Sequence, residues 1–239
     1  MSERPDAARD PGPPVRPAGS QEEVAERLGP FLELLSRYPA SLSSVRDPEA
    51  ALETHVADSL SGLAVEAVNE SSRTVDIGSG GGFPGIPLAV VLPECDFTLI
   101  DSVGRKTEFL NQAVDLLGLE NVEVMTTRSE DLAAGEGKEA FSVALARAVG
   151  PLSVLAELAS PLLAEGGALV AWKGSRELDE EERLARLVPQ LAMELEEVLA
   201  VQPFPGSRTR HLYVVRKAGP TPANLPRRPG MAKKRPLSE

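Results

Sequence analysis

The stretch Asp76-Ile77-Gly78-Ser79-Gly80-Gly81-Gly82-Phe83-Pro84-Gly85 places a carboxylate two residues ahead of a glycine run. Glycine lacks a Cβ, so such a run lets the backbone turn sharply and approach a ligand closely. The segment before it reads as a strand and the segment after it as a helix. Ligands of open α/β sheets bind at that junction, at the carboxyl ends of the strands. Gly80 to Gly85 also satisfies G-x-G-x-x-G, the dinucleotide-binding pattern, so the loop alone leaves two cofactor classes open.

Acids further along narrow the choice. Asp76 would put negative charge in the loop mouth, where it repels a pyrophosphate but suits a ligand bearing an ammonium and a sulfonium. Asp101, with Ser102, closes the next apolar run, where an acid can accept both ribose hydroxyls; this fits either cofactor. Ser129-Glu130-Asp131 follows the third run, where the adenine edge of a methyltransferase cofactor lies. Acids on three successive strand ends point to S-adenosylmethionine. Asp76, Gly78 and Gly80 in the loop, Asp101, Ser129 and Glu130 are the expected cofactor contacts.

Other chemistries are thinly represented. Cys95 is the only cysteine, so no intramolecular disulfide can form. No Cys/His cluster has metal-ligand spacing, and no metal is expected. Nor does any pairing of His with a nucleophile stand out. The net charge of −11 argues against non-specific coating of nucleic acid. The charge is uneven, however: beyond Ala218, Arg227, Arg228, Lys233, Lys234 and Arg235 face a single acid, Glu239. No apolar run approaches the ~18 residues of a membrane span, and the first 19 residues lack a signal-peptide core. A cytoplasmic protein is expected, with no membrane partner.

These residues need a scaffold, and the hydrophobic rhythm supplies one. Residues 1–19 are proline-rich and almost free of apolar side chains, which predicts disorder. Ser20 and Glu23 form a capping box for a first helix, with Val24, Leu28, Phe31, Leu32 and Leu35 at helical spacing up to Pro39. Asp47-Pro48 opens a second helix carrying Leu52, Val56, Leu60 and Leu63. Residues 20–70 thus read as a small helical N-terminal lobe.

From Arg73 onward, strands (Thr74–Ile77, Phe97–Ile100, Val122–Met125, Phe141–Leu145, Ala168–Trp172) alternate with helices (Gly85–Leu92, Arg105–Leu117, Pro151–Leu163, Glu177–Glu197). Pro189 should kink the last helix. Such alternation predicts a parallel sheet with helices on both faces. The final strands, Val198–Val201 and Leu212–Val215, have only about ten residues between them, too few for a crossover helix. They must form a hairpin, which reverses the last strand. The expected fold is therefore α/β: a Rossmann-like class I methyltransferase with a seven-stranded, mostly parallel sheet. The catalytic domain should span 71–217, with 218–239 a basic, proline-rich tail.

The stretch from Ser43 to Lys173 resembles the bacterial RsmG (GidB) family, which methylates guanine N7 in 16S ribosomal RNA. The resemblance is carried by Ser44-Val45-Arg46-Asp47-Pro48, His55-Val56-Ala57-Asp58-Ser59-Leu60, Asp76 to Pro87 and Leu99-Ile100-Asp101-Ser102 with Arg105-Lys106. It continues through Leu119-Glu120-Asn121-Val122, Arg147-Ala148, Trp172-Lys173-Gly174 and the tail from Pro226. It implies cofactor contacts at Gly78, Phe83, Asp101-Ser102, Ser129-Glu130 and Arg147. Ser41-Leu42-Ser43 stands where the family often has Asn-Leu-Thr.

Guanine N7 has a free lone pair and no proton to lose, so its methylation needs no general base. No certain catalytic residue is assigned; Arg147 and Lys173 are the candidates. Arg46, His55, Lys173, Arg227, Arg228, Lys233, Lys234 and Arg235 are candidate RNA contacts, as cations that meet phosphates. The implied partner is 16S ribosomal RNA or the small subunit, met by a monomer. A small-molecule or protein methyltransferase of the same fold and a dinucleotide-dependent oxidoreductase are the alternatives.

Overall fold

A computed structural model of the chain describes residues 20–38, 42 and 47–237. The expected disorder of 1–19 and the candidate Arg46 lie outside the described residues. Helix α1 (Gln21–Arg37) starts on the capping box: Glu23 N–H donates to Ser20 Oγ at 3.2 Å, and Ser20 N–H to Glu23 Oε2 at 2.7 Å. Its apolar stripe is buried in one of the molecule's two cores. Phe31 stacks 5.3 Å from Phe83 and 6.1 Å from Phe109, and Tyr38 meets Phe109 edge-on.

The second helix is not continuous. It is a chain of short turns: α2 (Pro48–Ala51), a wide π-turn (Leu52–Val56), α3 (Ala57–Leu60), a 3-10 turn (Ser61–Ala64) and α4 (Glu66–Asn69). The wide turn carries His55, and extra turns of this kind often sit at working parts of a molecule.

The sheet has seven strands: β1 (Arg73–Ile77), β2 (Asp96–Asp101), β3 (Val122–Thr126), β4 (Phe141–Arg147), β5 (Leu163–Lys173), β6 (Met193–Val201) and β7 (Arg210–Lys217). Their spatial order is β3-β2-β1-β4-β5-β7-β6. β1 to β5 are parallel, while β7 runs antiparallel between β5 and β6. The hairpin expected from the short final connection is present. α5 (Gly85–Val91) and α6 (Gly104–Leu117) cover the face shared with α1; α7 (Ser129–Ala133) follows β3, and α8 (Leu152–Ala159) and α9 (Leu178–Leu187) pack in the other core. Both faces are buried, so the central strands are apolar runs rather than alternating ones.

Two elements differ from the sequence reading. β5 begins at Leu163, paired with Phe141, and passes through Gly166-Gly167 by way of a register shift. The helix expected over Glu177–Glu197 ends at Leu187. A 3-10 turn (Val188–Leu191) around Pro189 and a left-handed Ala192 (φ 53°) then lead into β6. Met193-Glu194-Leu195-Glu196 has strand periodicity, but its acids mimic a helix surface. β6 is one of the two edge strands, where outward charges discourage pairing with other chains.

The tail is folded. It ends in a short helix, α10 (Met231–Lys234), with Leu225 and Ala232 buried in the core that α8 shares.

Candidate cofactor cleft and adjoining arginine cluster

Strand order reverses between β1 and β4, and crevices in α/β sheets open at such a switch point. A cleft of about 280 Å³ lies there, near the lower end of the ~300–1,000 Å³ typical of small-molecule sites. Its walls are the carboxyl ends of four strands: Ile77-Gly78, Ile100-Asp101-Ser102, Thr127 to Glu130, and Ala148-Val149. Val103, Lys106, Leu158, Gly230, Ala232 and Lys233 complete it. Of the expected cofactor contacts, Gly78, Asp101, Ser102, Ser129 and Glu130 are brought together here.

The loop is held from beneath. Gly78 and Ser79 N–H both donate to Ile100 C=O, at 2.9 and 3.0 Å, locking it to β2. Gly78 has φ +71°, which L side chains rarely adopt, and a Cβ there would stand 3.0 Å from Val149 Cγ2. Gly85 is required for another reason: a Cβ would lie 2.4 Å from Leu99 Cδ2 and 2.7 Å from Asp76 Oδ2.

Asp76 does not line the cleft, contrary to its expected place in the mouth. It is fully buried below the loop, where Oδ2 accepts Gly85 N–H at 3.1 Å and Oδ1 has no hydrogen-bond partner. Burial raises its pKa to about 7, against the opposing pull of the Gly85 amide. β1 is an interior strand between β2 and β4, so its end is covered from both sides. Gly80 also lies outside the lining, and its N–H donates to Asp101 Oδ2 at 3.2 Å. Asp101 is buried and braced: Oδ1 accepts Val103 N–H at 3.0 Å, and Oδ2 also takes Lys106 Nζ at 3.0 Å. Oδ2 already has two donors, while Oδ1 has one and keeps room for another. An acid in a backbone-walled cleft, facing the Ser129-Glu130 side, fits the ribose of S-adenosylmethionine.

Phe83 and Arg147 stand beside the cleft in a second cluster. Arg147, the last residue of β4, donates from Nη1 to Asp58 Oδ2 at 2.8 Å and to His55 C=O at 3.3 Å. Its guanidinium carbon lies 5.2 Å from the Phe83 ring centroid, and Phe83 stacks 4.9 Å from His55. Arg210 Nε approaches Asp58 Oδ1 at 3.6 Å, and Trp172 Nε1 donates to Asp58 C=O at 2.8 Å. Burial lowers the Arg147 pKa and raises that of Asp58, while each charge favours the other. Burial, followed by the Arg147 charge, drops His55 to about 4, so it is neutral near pH 7.

Several expected RNA contacts are otherwise engaged. Lys173 donates to Glu180 at 2.8 Å, and Glu180 also accepts Leu152 N–H, tying β5 to α8 and α9. Arg227 is paired with Glu157. Lys233 lines the cleft, and Arg228, Lys234 and Arg235 are exposed. Sequence reasoning misses Lys106, Arg128 and Val149 in the lining, and Arg210 in the arginine cluster; Arg105-Lys106 enters it only as a family match. Among the described residues, no group of three or more His, Cys, Asp or Glu could hold a metal, and no helix is long and apolar enough to cross a membrane.

Comparison with known proteins bears on the family and the fold. The family model described as rRNA small subunit methyltransferase G matches residues 26–213. A ribosomal RNA small subunit methyltransferase G from Rubrobacter xylanophilus is 40% identical over 224 residues, covering 91% of this chain and 85% of that one. Its counterpart from Gloeobacter violaceus is 40% identical, covering 93% and 88%. Among solved structures, the fibrillarin pre-rRNA processing protein of Methanococcus jannaschii is similar at a TM-score of 0.51 and 14% identity, covering 65% of this chain and 71% of that one. NSun6 from Pyrococcus horikoshii with SFG is similar at 0.50 and 15%, covering 75% and 57%. These structures share the fold.

Proposed function

The chain belongs to the rRNA small subunit methyltransferase G family, and from that premise we propose that it transfers the methyl group of S-adenosylmethionine to N7 of a guanine in 16S ribosomal RNA. The observation that carries the cofactor half is Asp101, set between the Gly78 loop and Ser129-Glu130 in a cleft at the sheet's switch point. When bound, S-adenosylmethionine supplies an electrophilic methyl carbon.

The chain's own residues bind and orient. Asp101 accepts hydroxyl donors, the Gly78 backbone allows close approach, and Val149 and Leu158 give the cleft apolar walls. The target nitrogen has an in-plane lone pair and releases no proton, so the site needs alignment rather than a base. The arginine cluster agrees: Arg147 is kept cationic by Asp58, and neutral His55 is packed on Phe83. Neither is arranged as a proton shuttle. Arg147, beside the loop, is the candidate for contact with the incoming nucleotide.

The test is transfer of labelled methyl from the cofactor to small-subunit RNA, with the modified base mapped by mass spectrometry. Label on a guanine as 7-methylguanine is expected. Label confined to metabolites or to protein would sink the RNA reading.

A further inference from the structure

Beyond β7 the chain turns back on the cleft. Arg227 donates from Nε and Nη2 to the two oxygens of Glu157, at 2.6 Å each, and Glu157 on α8 is only 4% exposed. A paired, bidentate geometry of this kind fixes orientation as well as distance. Three residues later, Gly230 N–H donates to Glu130 Oε1 at 2.7 Å. On either side of these two anchors, Leu225 and Ala232 are buried in the core. Gly230, Ala232 and Lys233 consequently join Ser129 and Glu130 in the lining of the cleft.

We infer that the C-terminal segment 225–235 is the outer wall of the cofactor cleft on its adenine side, and that Glu130, Glu157 and Arg227 are positioning residues that seat it. The inference rests on reading the cleft as the S-adenosylmethionine site. One of the tail's cations turns from RNA binding to cofactor binding on this account. Arg227 is consumed by a buried acid, since leaving Glu157 unpaired would strand a charge away from water. Glu130 acts through the tail amide it holds: Oε1 takes Gly230, and Oε2 lies 3.3 Å from Ser129 Oγ.

The wall is not continuous with a strand or a long helix, so it depends on these anchors. Freed from them, the segment would be an ordinary chain end, and the ligand would have to order it at the expense of affinity.

The test uses the full-length chain and S-adenosylhomocysteine. Calorimetry would compare wild type with Glu130→Ala, Glu130→Gln and Arg227→Ala, each with its ligand-free melting temperature. Glu130→Ala and Arg227→Ala should weaken binding about tenfold or more. Glu130→Gln should stay within about threefold of wild type, because its amide oxygen still accepts Gly230 N–H. Trypsin offers a second readout, since Arg227, Lys233 and Lys234 are basic residues within the segment that no proline follows. Saturating S-adenosylhomocysteine should slow cleavage there in the wild type, a result that stands even if Arg227→Ala fails to fold.

Unchanged affinity in both alanine variants, or unprotected cleavage with ligand bound, would overturn the inference. Equal losses in Glu130→Gln and Glu130→Ala would overturn the positioning role of Glu130. A wild type that does not bind S-adenosylhomocysteine at all would overturn the cofactor reading instead.

Discussion

Asp58 and Arg147, 89 residues apart in sequence, meet at 2.8 Å with side chains only 11% and 14% exposed. Asp58 belongs to the N-terminal helices and Arg147 to the end of β4. Their contact therefore fixes the helical segment against the sheet beside the glycine loop. Trp172 and His55 converge on the same point, each bonding to the other element. The lobe and the sheet share one core on that face, so the charged contact sets orientation more than it supplies cohesion.

Arg147→Ala should lower stability by about 3 kcal/mol, because it strands a buried carboxylate rather than removing a surface pair. Arg210, at 3.6 Å, only partly compensates. Urea unfolding with tryptophan fluorescence would measure it, since Trp172 donates to Asp58 C=O. A loss below ~1 kcal/mol, the range of exposed pairs, would mean that the contact is solvated.

Two buried groups should give opposing pH terms. The His55 pKa is about 4 in the fold against an ordinary 6.5. Over that window the unfolded chain holds a proton the folded one lacks, so this group makes stability rise with pH. Asp76 stands at about 7 against an ordinary 3.8, so the folded chain holds the extra proton. Its contribution makes stability fall as pH rises between those values. His55→Gln should leave a stability that falls more steeply with pH than in wild type, and Asp76→Asn one that rises more. Urea titrations between pH about 4.5 and about 6.5 would compare the slopes; identical slopes in all three proteins would refute the assignment.

What is legible in the sequence is set by distance along the chain. Strands, the hairpin and the loop can be read because period and turn chemistry are local, and Asp101 and Ser129 follow from strand ends. The burial of Asp76 cannot, because it depends on the strands flanking β1 and not on its neighbours in sequence. The tail reads as a basic arm because Glu130 and Gly230 lie 100 residues apart, and Glu157 and Arg227 lie 70 apart. The start of β6 reads as helix because an edge strand with outward acids can imitate a helix surface.

The loop glycines separate binding from folding. Gly78→Val should reduce S-adenosylhomocysteine affinity at least about tenfold, by forcing a β-branched residue into φ +71° against Val149 in the cleft wall. Gly85→Ala meets Leu99 and Asp76 in the interior instead, and should cost about 1–3 kcal/mol of stability. Calorimetry and thermal melts on both variants would show whether the two effects divide in this way.

Binding to RNA must work against a net charge of −11, so it should depend on local cations and weaken steeply with salt. Arg228, Lys234 and Arg235 are exposed on the segment that also walls the cleft. Replacing all three with alanine should weaken small-subunit RNA binding and flatten the log–log salt slope, by about one unit for each phosphate contact removed. Arg227→Ala should act differently, through the cofactor, because its guanidinium is held by Glu157. Filter binding across a salt series, beside calorimetry with S-adenosylhomocysteine, distinguishes the two roles. If the triple variant keeps the wild-type slope, these cations do not meet phosphate, and the RNA surface must be sought near Arg147 and Arg210 instead.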